Sequence, residues 1–567
     1  MCGISVVYGK LSSNEALNKN KNQLKEIFHR GPDKISFQKF TNCSFGHSRL
    51  MIIDLDERSH QPLNNQNFSI VFNGIIYNYL EIKENLKKKY KFITESDTEV
   101  ILAGYTLYGD KIFKMLRGMF AVVIYDKKKK SLVCARDQLG IKPLYYAIKE
   151  KTIFIASEIK PILKNFKAEP NINVAKNYFK FGMYEDNTNT FFKDIFQFQP
   201  GSIYKIDRNL NINKKKYWDL FNIIQNSSVK LNPSESIDLA VSRINEIKKI
   251  YSRSDVKMGI FLSSGIDSTY LKNILDNENK LENYFTFGYH SDYSDEIDQI
   301  ELDKNQKKKL IVKRFSLEDF IENLKYTQYI QEMPWGGPNV FFMEKLSELA
   351  RNKNIKVMFN ADGADEVFGG YDKYLSKNLN LSSRNYFNQQ IDGTINHKNN
   401  IIKKNYIIKD IHMKLPTLNK LSNMRYLDMI YQKLPRNFRF SDRYSMKNAI
   451  ELRYPFLDVK IIEDSFKFNN RCFINSKINK IILRNIFSKY KRKKKHINSP
   501  QINWLKNNTF KKYLEKNIIH SPIFDIILDR KKTFDLIGDF YDKKQSNSFK
   551  LWQVINYDIW LRTFFKQ

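Results

Sequence analysis

The sequence predicts a two-domain protein of the α/β and α+β classes, with a parallel sheet in its second half. The chain has 567 residues, too many for one hydrophobic core. Two short apolar runs, at 258–262 and 357–359, each lead into a loop of small residues and then into a helical pattern. Such strand–loop–helix units are typical of parallel sheets.

A mostly polar stretch at 222–233 separates these units from the N-terminal half. From Ser234 onward the apolar residues follow helical spacing, with Ile237, Val241, Ile244 and Ile247 on one stripe. We therefore expect one domain over residues 1–205, a linker over 206–233 and a second domain over 234–567.

The composition is that of a folded intracellular protein. With 42% hydrophobic and 14% aromatic residues the chain can bury large cores, which argues against global disorder. We find no signal peptide and no apolar run long enough to span a bilayer. The 4 cysteines lack metal-ligand spacing and are sparse for a disulfide scaffold, so we expect a reducing cytoplasm and no membrane partner.

The net charge of +34 raises the alternative of a basic, nucleic-acid-associated protein with a degenerate enzyme fold. The lysines, however, are spread along the chain. The run at 127–130 lies between two apolar strands and fits a solvated hairpin turn, while a second basic run lies at 491–495. We expect no nucleic-acid partner; salt-sensitive binding to DNA or RNA would test that alternative.

The segment at 258–268 (MGIFLSSGIDS) predicts an anion site. A buried strand, a small-residue loop and a helix start at Asp267 bring backbone N–H groups and the positive end of a helix dipole to one point. The loop lacks the lysine of a Walker motif. It resembles the Ser-Gly-Gly-x-Asp-Ser pyrophosphate loop of ATP pyrophosphatases, with Ser264 at a glycine position, and Asp267 can face Mg²⁺. The predicted ATP and pyrophosphate-binding residues are Leu262, Ser263, Ser264, Gly265, Asp267 and Ser268.

Cys2 is a candidate nucleophile. Cysteine is small enough for Met1 to be removed, and the freed α-amine, with a pKa of about 7.7–8.0, can accept the thiol proton. From these residues alone, an incidental cysteine at position 2 is the favoured interpretation. The segments that follow it decide in favour of the nucleophile.

Seven ordered segments of the N-terminal half carry a family resemblance. They lie at 29–33, 46–50, 72–74, 96–99, 117–121, 135–146 and 156–160. In this order they resemble the class II glutamine amidotransferase domain, which implies the αββα sandwich of an N-terminal-nucleophile hydrolase. Cys2 would then attack the side-chain amide of glutamine, form a thioester and release ammonia.

The same resemblance implies roles for four further residues. Arg49 would pair with the carboxylate of glutamine, Asn73 and Gly74 would stabilise the oxyanion, and Asp97 would hold the ammonium. The family normally has Asn-Gly-Glu-Ile-Tyr-Asn, whereas Ile75 stands here in place of the glutamate. Loss of one carboxylate weakens glutamine binding by about 1–3 kcal/mol, so we expect a raised KM with the chemistry intact.

The C-terminal half carries a second resemblance. Its segments lie at 360–366 (NADGADE), 441–446 (SDRYSM), 451–458 (ELRYPFLD) and 480–484 (KIILR), with Pro500 and Trp504 beyond. Together with the phosphate loop they resemble the synthetase domain of glutamine-hydrolysing asparagine synthetases, which implies a doubly wound α/β ATP pyrophosphatase domain. By this resemblance Asp362 and Asp365 lie at the acceptor and metal side, Asp267 and Asp365 bind Mg²⁺, and Lys480 is catalytic, stabilising the α-phosphoryl group.

The expected reaction is asparagine synthesis from aspartate, ATP and ammonia through β-aspartyl-AMP, with AMP and pyrophosphate as products. Aspartate-using enzymes can carry a threonine and an arginine in the region that corresponds to 332–339, and neither occurs between Gln331 and Glu344. The alternative is an enzyme of the same family that amidates another carboxylate, such as a sugar acid in surface polysaccharide synthesis. The sequence leaves a homodimer open.

Overall fold

The computed structural model describes all residues except 1, 187, 228, 277–279, 291–296, 376–400, 407–413, 418, 476–477, 489–499, 543–547 and 566–567. The basic run at 491–495 therefore lies outside the described residues. Within the described part of the chain, no helix has the length and apolar character needed to cross a bilayer.

The N-terminal half contains two six-stranded antiparallel sheets. Their strands are β1 (Gly3–Gly9), β2 (Lys34–Phe40), β3 (Cys43–Arg49), β4 (Leu63–Asn64), β5 (Phe68–Ile76), β6 (Gly118–Asp126), β7 (Ser131–Arg136), β8 (Tyr145–Lys149), β9 (Thr152–Ala156), β10 (Phe196–Gln197), β11 (Ser202–Ile206) and β12 (Ile212–Lys216). The first sheet has the order β10-β8-β9-β1-β3-β2 and the second the order β12-β11-β7-β6-β5-β4.

These sheets form the two inner layers of an αββα sandwich. One buried cluster joins Val6 of β1 and Phe45 of β3 to Val71 of β5 and Val123 of β6, so the sheets pack face to face. The helix Ser13–Lys25 packs on β1 and β3, and the helix Asp97–Tyr108 packs on β5. The αββα prediction is confirmed.

The C-terminal half contains one parallel sheet. Its strands β13 (Met258–Phe261), β14 (Leu281–Tyr289), β15 (Leu310–Phe315), β16 (Val357–Phe359) and β17 (Glu451–Arg453) have the order β15-β14-β13-β16-β17. All four strand pairs are parallel. The chain leaves β13 in one direction and returns to β16 on its other side, which confirms the doubly wound prediction. The loops after β13 and β16 therefore meet at the switch point, where ligands bind in such sheets.

Helices cover these sheets and extend beyond them. In the first half they are Ser13–Lys25, Tyr79–Leu86, Asp97–Tyr108, Ile159–Leu163 and Ile172–Phe181. The others are Leu220–Gln225, Pro233–Tyr251, Ile266–Asp276, Lys304–Lys309, Leu317–Gln331, Asn339–Asn352, Ala364–Phe368, Lys420–Leu427, Lys433–Met446, Val459–Ser465, Ile481–Ile486, Gln501–Lys506, Asn508–Ile518, Ile523–Ile526, Arg530–Asp542 and Ser548–Phe564.

The segment expected to link the domains is partly regular structure. Strand β12 lies inside 206–233 and pairs with β11 at the edge of the second sheet, and the helix Leu220–Gln225 follows it. The helix Pro233–Tyr251 then begins with a capping box between Asn232 and Glu235. The domain boundaries at 205 and 233 stay predictions.

Candidate active sites

Cys2 and Asn73 meet where β1 of the first sheet begins beside β5 of the second. The backbone N–H of Cys2 donates a hydrogen bond to Asn73 Oδ1 at 3.0 Å. The Asn73 side chain is buried, and its Nδ2 has no hydrogen-bond partner within the described part of the chain. A buried donor without a partner costs free energy. The structure therefore holds one amide donor beside Cys2 that an oxyanion can engage.

The position after Asn73 requires glycine. Gly74 has a φ of +156°, and a Cβ atom placed there would lie 2.0 Å from the carbonyl oxygen of Met119 on β6. No side chain fits that gap. The close approach of β5 and β6 thus explains why a glycine follows Asn73 inside a continuous strand.

Arg49 and Asp97 are both buried and held by backbone groups. The Arg49 guanidinium donates to the carbonyl oxygens of Asp54 and Asp56, the latter at 3.1 Å. Asp97 begins its helix, and its Oδ2 accepts the Ile76 N–H at 3.0 Å. Burial raises the pKa of Asp97 to about 7, although the Ile76 hydrogen bond opposes the rise.

One pocket collects the predicted thiol-site residues. Cys2, Arg49, Gly74 and Asp97 all line it, and Asn73 is bonded to Cys2 at its edge. Two further members are Ile75, which is buried, and Glu451. Glu451 comes from β17 in the other half of the chain, so no local sequence signal connects it with this pocket.

The phosphate loop closes on itself through its serines. The Ser263 N–H donates to Ser268 Oγ at 3.1 Å, and the two hydroxyl oxygens lie 2.8 Å apart. The Gly265 N–H donates to Ser263 Oγ at 3.3 Å. Ser264 has no positive φ, so serine fits the position without backbone strain. The helix begins at Ile266, one residue before the predicted start, and carries Asp267 in its first turn.

Lys480 joins the two switch-point loops. Its Nζ contacts Asp267, in the first turn of the helix after β13, and lies 2.5 Å from Oδ1 of Asp365, in the first turn of the helix after β16. Burial lowers the pKa of Lys480, but the two carboxylates outweigh that effect and hold it above its usual range. Burial also raises the pKa of Asp362 to about 6, helped by the charge of Asp365. Three carboxylates and one lysine thus share the switch point.

A cavity of about 550 Å³ lies at this switch point. Of the predicted residues, Leu262, Ser263, Asp267, Ser268, Asp362 and Asp365 line it, whereas Ser264, Gly265 and Lys480 do not. Two lining residues that the sequence analysis did not single out are Tyr184, from the N-terminal half, and Arg436.

Some residues of the segment at 332–339 line this cavity, and others are buried in the core. Gly336, Gly337 and Asn339 line the cavity. Glu332, in contrast, is fully buried, and its Oε2 accepts from Arg443 Nε at 2.8 Å. Trp335 is packed in the core, with its Nε1 donating to Gln328 Oε1 at 3.1 Å.

A buried charge network connects the thiol pocket with the cavity. Arg30 Nε donates to the Cys2 carbonyl oxygen at 3.1 Å, and its terminal nitrogens donate to both carboxylate oxygens of Asp442, at 2.8 and 3.0 Å. Asp442 lies on the helix Lys433–Met446, from which Ser441 and Tyr444 line the cavity. The same helix therefore reaches both sites.

Comparisons with known proteins agree with this architecture. A family model described as a glutamine amidotransferase domain matches residues 1–218, and one described as asparagine synthase matches residues 246–562, more than half of the chain. The two matches define a ligase with an amidotransferase domain. The chain belongs to the asparagine synthase family.

Similar proteins include synthetases and amidases. The glutamine-hydrolysing asparagine synthetase 1 of Bacillus subtilis is 29% identical, and the alignment covers 99% of this chain and 96% of that protein. A second B. subtilis synthetase, number 2, is also 29% identical over 77% of this chain and 62% of its own length. Amidase chry2 of Gibberella zeae is 29% identical over 67% of this chain and 60% of its own length.

Proposed function

We propose that the chain forms an amide from a carboxylate, using ATP and ammonia that it releases from glutamine, and that the carboxylate is aspartate. The observation that carries this proposal is the arrangement of two pockets joined by one buried network. The first has a thiol beside an amide donor that has no hydrogen-bond partner among the described residues, and the second is lined by Asp267 and Asp365, with Lys480 between them. The synthetase relatives support the choice of aspartate.

In the first pocket Cys2 attacks the side-chain carbonyl of glutamine. Its α-amine, once Met1 is removed, accepts the thiol proton. The Asn73 Nδ2, which has no hydrogen-bond partner in the described part of the chain, stabilises with Gly74 the oxyanion that forms. Arg49 and Asp97 bind the carboxylate and ammonium of the substrate, and ammonia leaves while a glutamyl thioester remains on Cys2.

In the second pocket the phosphate loop and Lys480 bind the phosphates of ATP. Asp267 and Asp365 already converge on the Lys480 ammonium, and carboxylate oxygens are the ligands that Mg²⁺ prefers. These two residues would hold Mg²⁺, which would neutralise pyrophosphate charge when bound. Lys480 stabilises the α-phosphoryl group while the acceptor carboxylate attacks it, giving β-aspartyl-AMP and pyrophosphate.

Ammonia then displaces AMP from the acyl group to give the amide. Adenylation is needed because a free carboxylate is a poor electrophile. Ammonia has to reach the second pocket without meeting bulk water, where it would be protonated. The buried contacts of Arg30 with Cys2 and Asp442 mark the region between the two pockets.

The second candidate is a different acceptor carboxylate with the same chemistry. Two observations favour it: residues 332–339 contain neither threonine nor arginine, and relatives of similar identity are named amidases. A sugar acid in polysaccharide synthesis is one acceptor of this kind.

Two variants separate the pockets. We expect Cys2→Ala to lose glutamine-dependent amide synthesis while keeping synthesis from added ammonia. We expect Asp267→Ala to stop pyrophosphate release while glutaminase activity stays measurable. Loss of both nitrogen sources in Cys2→Ala would contradict two separable sites, and unchanged pyrophosphate release in Asp267→Ala would remove the phosphate loop from the mechanism.

A further inference from the structure

The helix Lys433–Met446 carries two cations near the large cavity, Arg436 in its wall and Lys433 one turn away. Lys433 and Arg436 are three residues apart, so they project from the same face of the helix. Arg436 lines the cavity, and its guanidinium carbon lies 5.8 Å from the ring centroid of Tyr184. The Lys433 ammonium lies 5.4 Å from the ring centroid of Tyr371, another lining residue.

Lys433 and Arg436 differ from Arg439 and Arg443 of the same helix, because the latter two are paired with carboxylates. Arg439 is bonded to the Glu185 carboxylate, and Arg443 Nε to Glu332 at 2.8 Å. In the described part of the chain, neither Lys433 nor Arg436 forms an ion pair or a hydrogen bond. The helix thus neutralises its other two arginines with carboxylates, whereas Arg436 faces the cavity and Lys433 lies behind the lining residue Tyr371.

The two cations repel each other. The Arg436 charge is the largest cause that lowers the pKa of Lys433 to about 7, followed by burial and by Lys373. The acidic groups facing Lys433 are Asp428, which already pairs with Lys373 at 2.6 Å, and Glu366, whose own pKa burial raises to about 8. Such repulsion beside a cavity is relieved when an anion binds there.

Two anions can enter this cavity, a phosphate of ATP and a carboxylate of the acceptor. The phosphates of ATP are already assigned to the loop after β13 and to the cation Lys480. Around Arg436 the wall is aromatic instead: Tyr184 packs against Phe440 and Phe549 with centroids 5.4 and 6.4 Å apart. A planar guanidinium flanked by rings suits a carboxylate on an organic molecule.

We infer that Arg436, supported by Lys433, binds a second carboxylate of the acceptor, distinct from the one that ATP activates. The acceptor is then a dicarboxylate. This inference rests on the proposed function, and it supplies from another helix the guanidinium that residues 332–339 lack.

The test compares aspartate with β-alanine, which is aspartate without its α-carboxylate. Pyrophosphate release is measured with ATP, Mg²⁺ and ammonia in the wild type, in Arg436→Met and in Arg436→Lys. We expect Arg436→Met to raise the KM for aspartate about 10- to 100-fold, the loss of one charge-assisted contact, with the KM for ATP within about twofold. Arg436→Met should lose the preference for aspartate over β-alanine, and Arg436→Lys should retain part of that preference. Arg208→Met, which changes an exposed arginine of the N-terminal half, is the matched control and should leave both KM values unchanged.

Three results would overturn the inference. A raised KM for ATP with an unchanged KM for aspartate would assign Arg436 to the nucleotide. Unchanged KM values, or an intact preference for aspartate over β-alanine, would show that no carboxylate binds there. If the wild type releases no pyrophosphate with aspartate, the proposed acceptor is wrong. Calorimetric titration of the wild type and of Arg436→Met with aspartate then tests whether Arg436 binds a carboxylate. Binding that Arg436→Met abolishes supports the inference, and absence of binding in the wild type refutes it.

Discussion

The Arg30–Asp442 ion pair should contribute both to stability and to the coupling of the two pockets. Arg30 is fully buried. Its guanidinium donates two hydrogen bonds to the Asp442 carboxylate and one to the Cys2 carbonyl oxygen. Burial raises the pKa of Asp442, but Arg30, Arg443 and Lys142 together outweigh burial and hold that pKa below its usual range. Breaking a buried pair costs about 3–5 kcal/mol. We expect Asp442→Asn to cost about 3 kcal/mol, the lower end of that range, because Glu158 still contacts Arg30 at 2.8 Å.

The assay is urea unfolding of the full chain together with two synthesis rates. Asp442→Asn should lower the free energy of unfolding and should reduce glutamine-dependent synthesis more than ammonia-dependent synthesis, because Arg30 no longer fixes the Cys2 backbone. The matched control is Glu169→Gln, which breaks an exposed pair with Lys193 and should cost at most about 1 kcal/mol. Equal losses of stability in the two variants, or equal losses of both synthesis rates in Asp442→Asn, would refute the reasoning.

Two further predictions concern glutamine binding. In the proposed function Asp97 binds the substrate ammonium, for which it has to be ionised. Because its pKa is raised to about 7, its ionised fraction falls about tenfold from about pH 8 to pH 6. The glutaminase KM should rise accordingly, and a flat KM profile would exclude Asp97 from ammonium binding. Ile75 is buried in the same pocket, and Ile75→Glu should lower the KM for glutamine about 5- to 100-fold, the scale of the carboxylate that it restores. An unchanged KM in steady-state kinetics would show that position 75 does not contribute.

The local parts of the fold could be predicted from the sequence. Apolar runs bounded by small residues mark β13 and β16, and the helix after β13 begins within one residue of its predicted start. Strand β12 was hidden in the expected linker because three of its five residues are lysines, with exposed side chains. Its backbone pairs with β11 without burying a hydrophobic face, so periodicity gives no signal. Val241 is 36% exposed although it was placed on the apolar stripe, since the helix buries Ala240 in its place, together with Ile244 and Ile247 of the predicted stripe.

The site residues likewise fall into those that the sequence could predict and those that it could not. The order of the motifs led to Cys2, Asn73 and Asp97 as predicted site residues, and the structure brings them together, while their roles stay predictions. Glu451 and Arg436 could not be predicted, because each enters its pocket from an element distant in sequence. These contacts depend on how the two halves and the helix Lys433–Met446 pack, which local residue patterns do not encode.

The most direct test of the central claim is pyrophosphate release by the full chain with ATP, Mg²⁺ and ammonia, with and without aspartate, while asparagine is quantified in the same reaction. The proposed function predicts pyrophosphate release that depends on aspartate and an equal amount of asparagine. No aspartate-dependent release, with glutaminase activity intact, would contradict aspartate as the acceptor and would leave another carboxylate as the substrate of the large cavity.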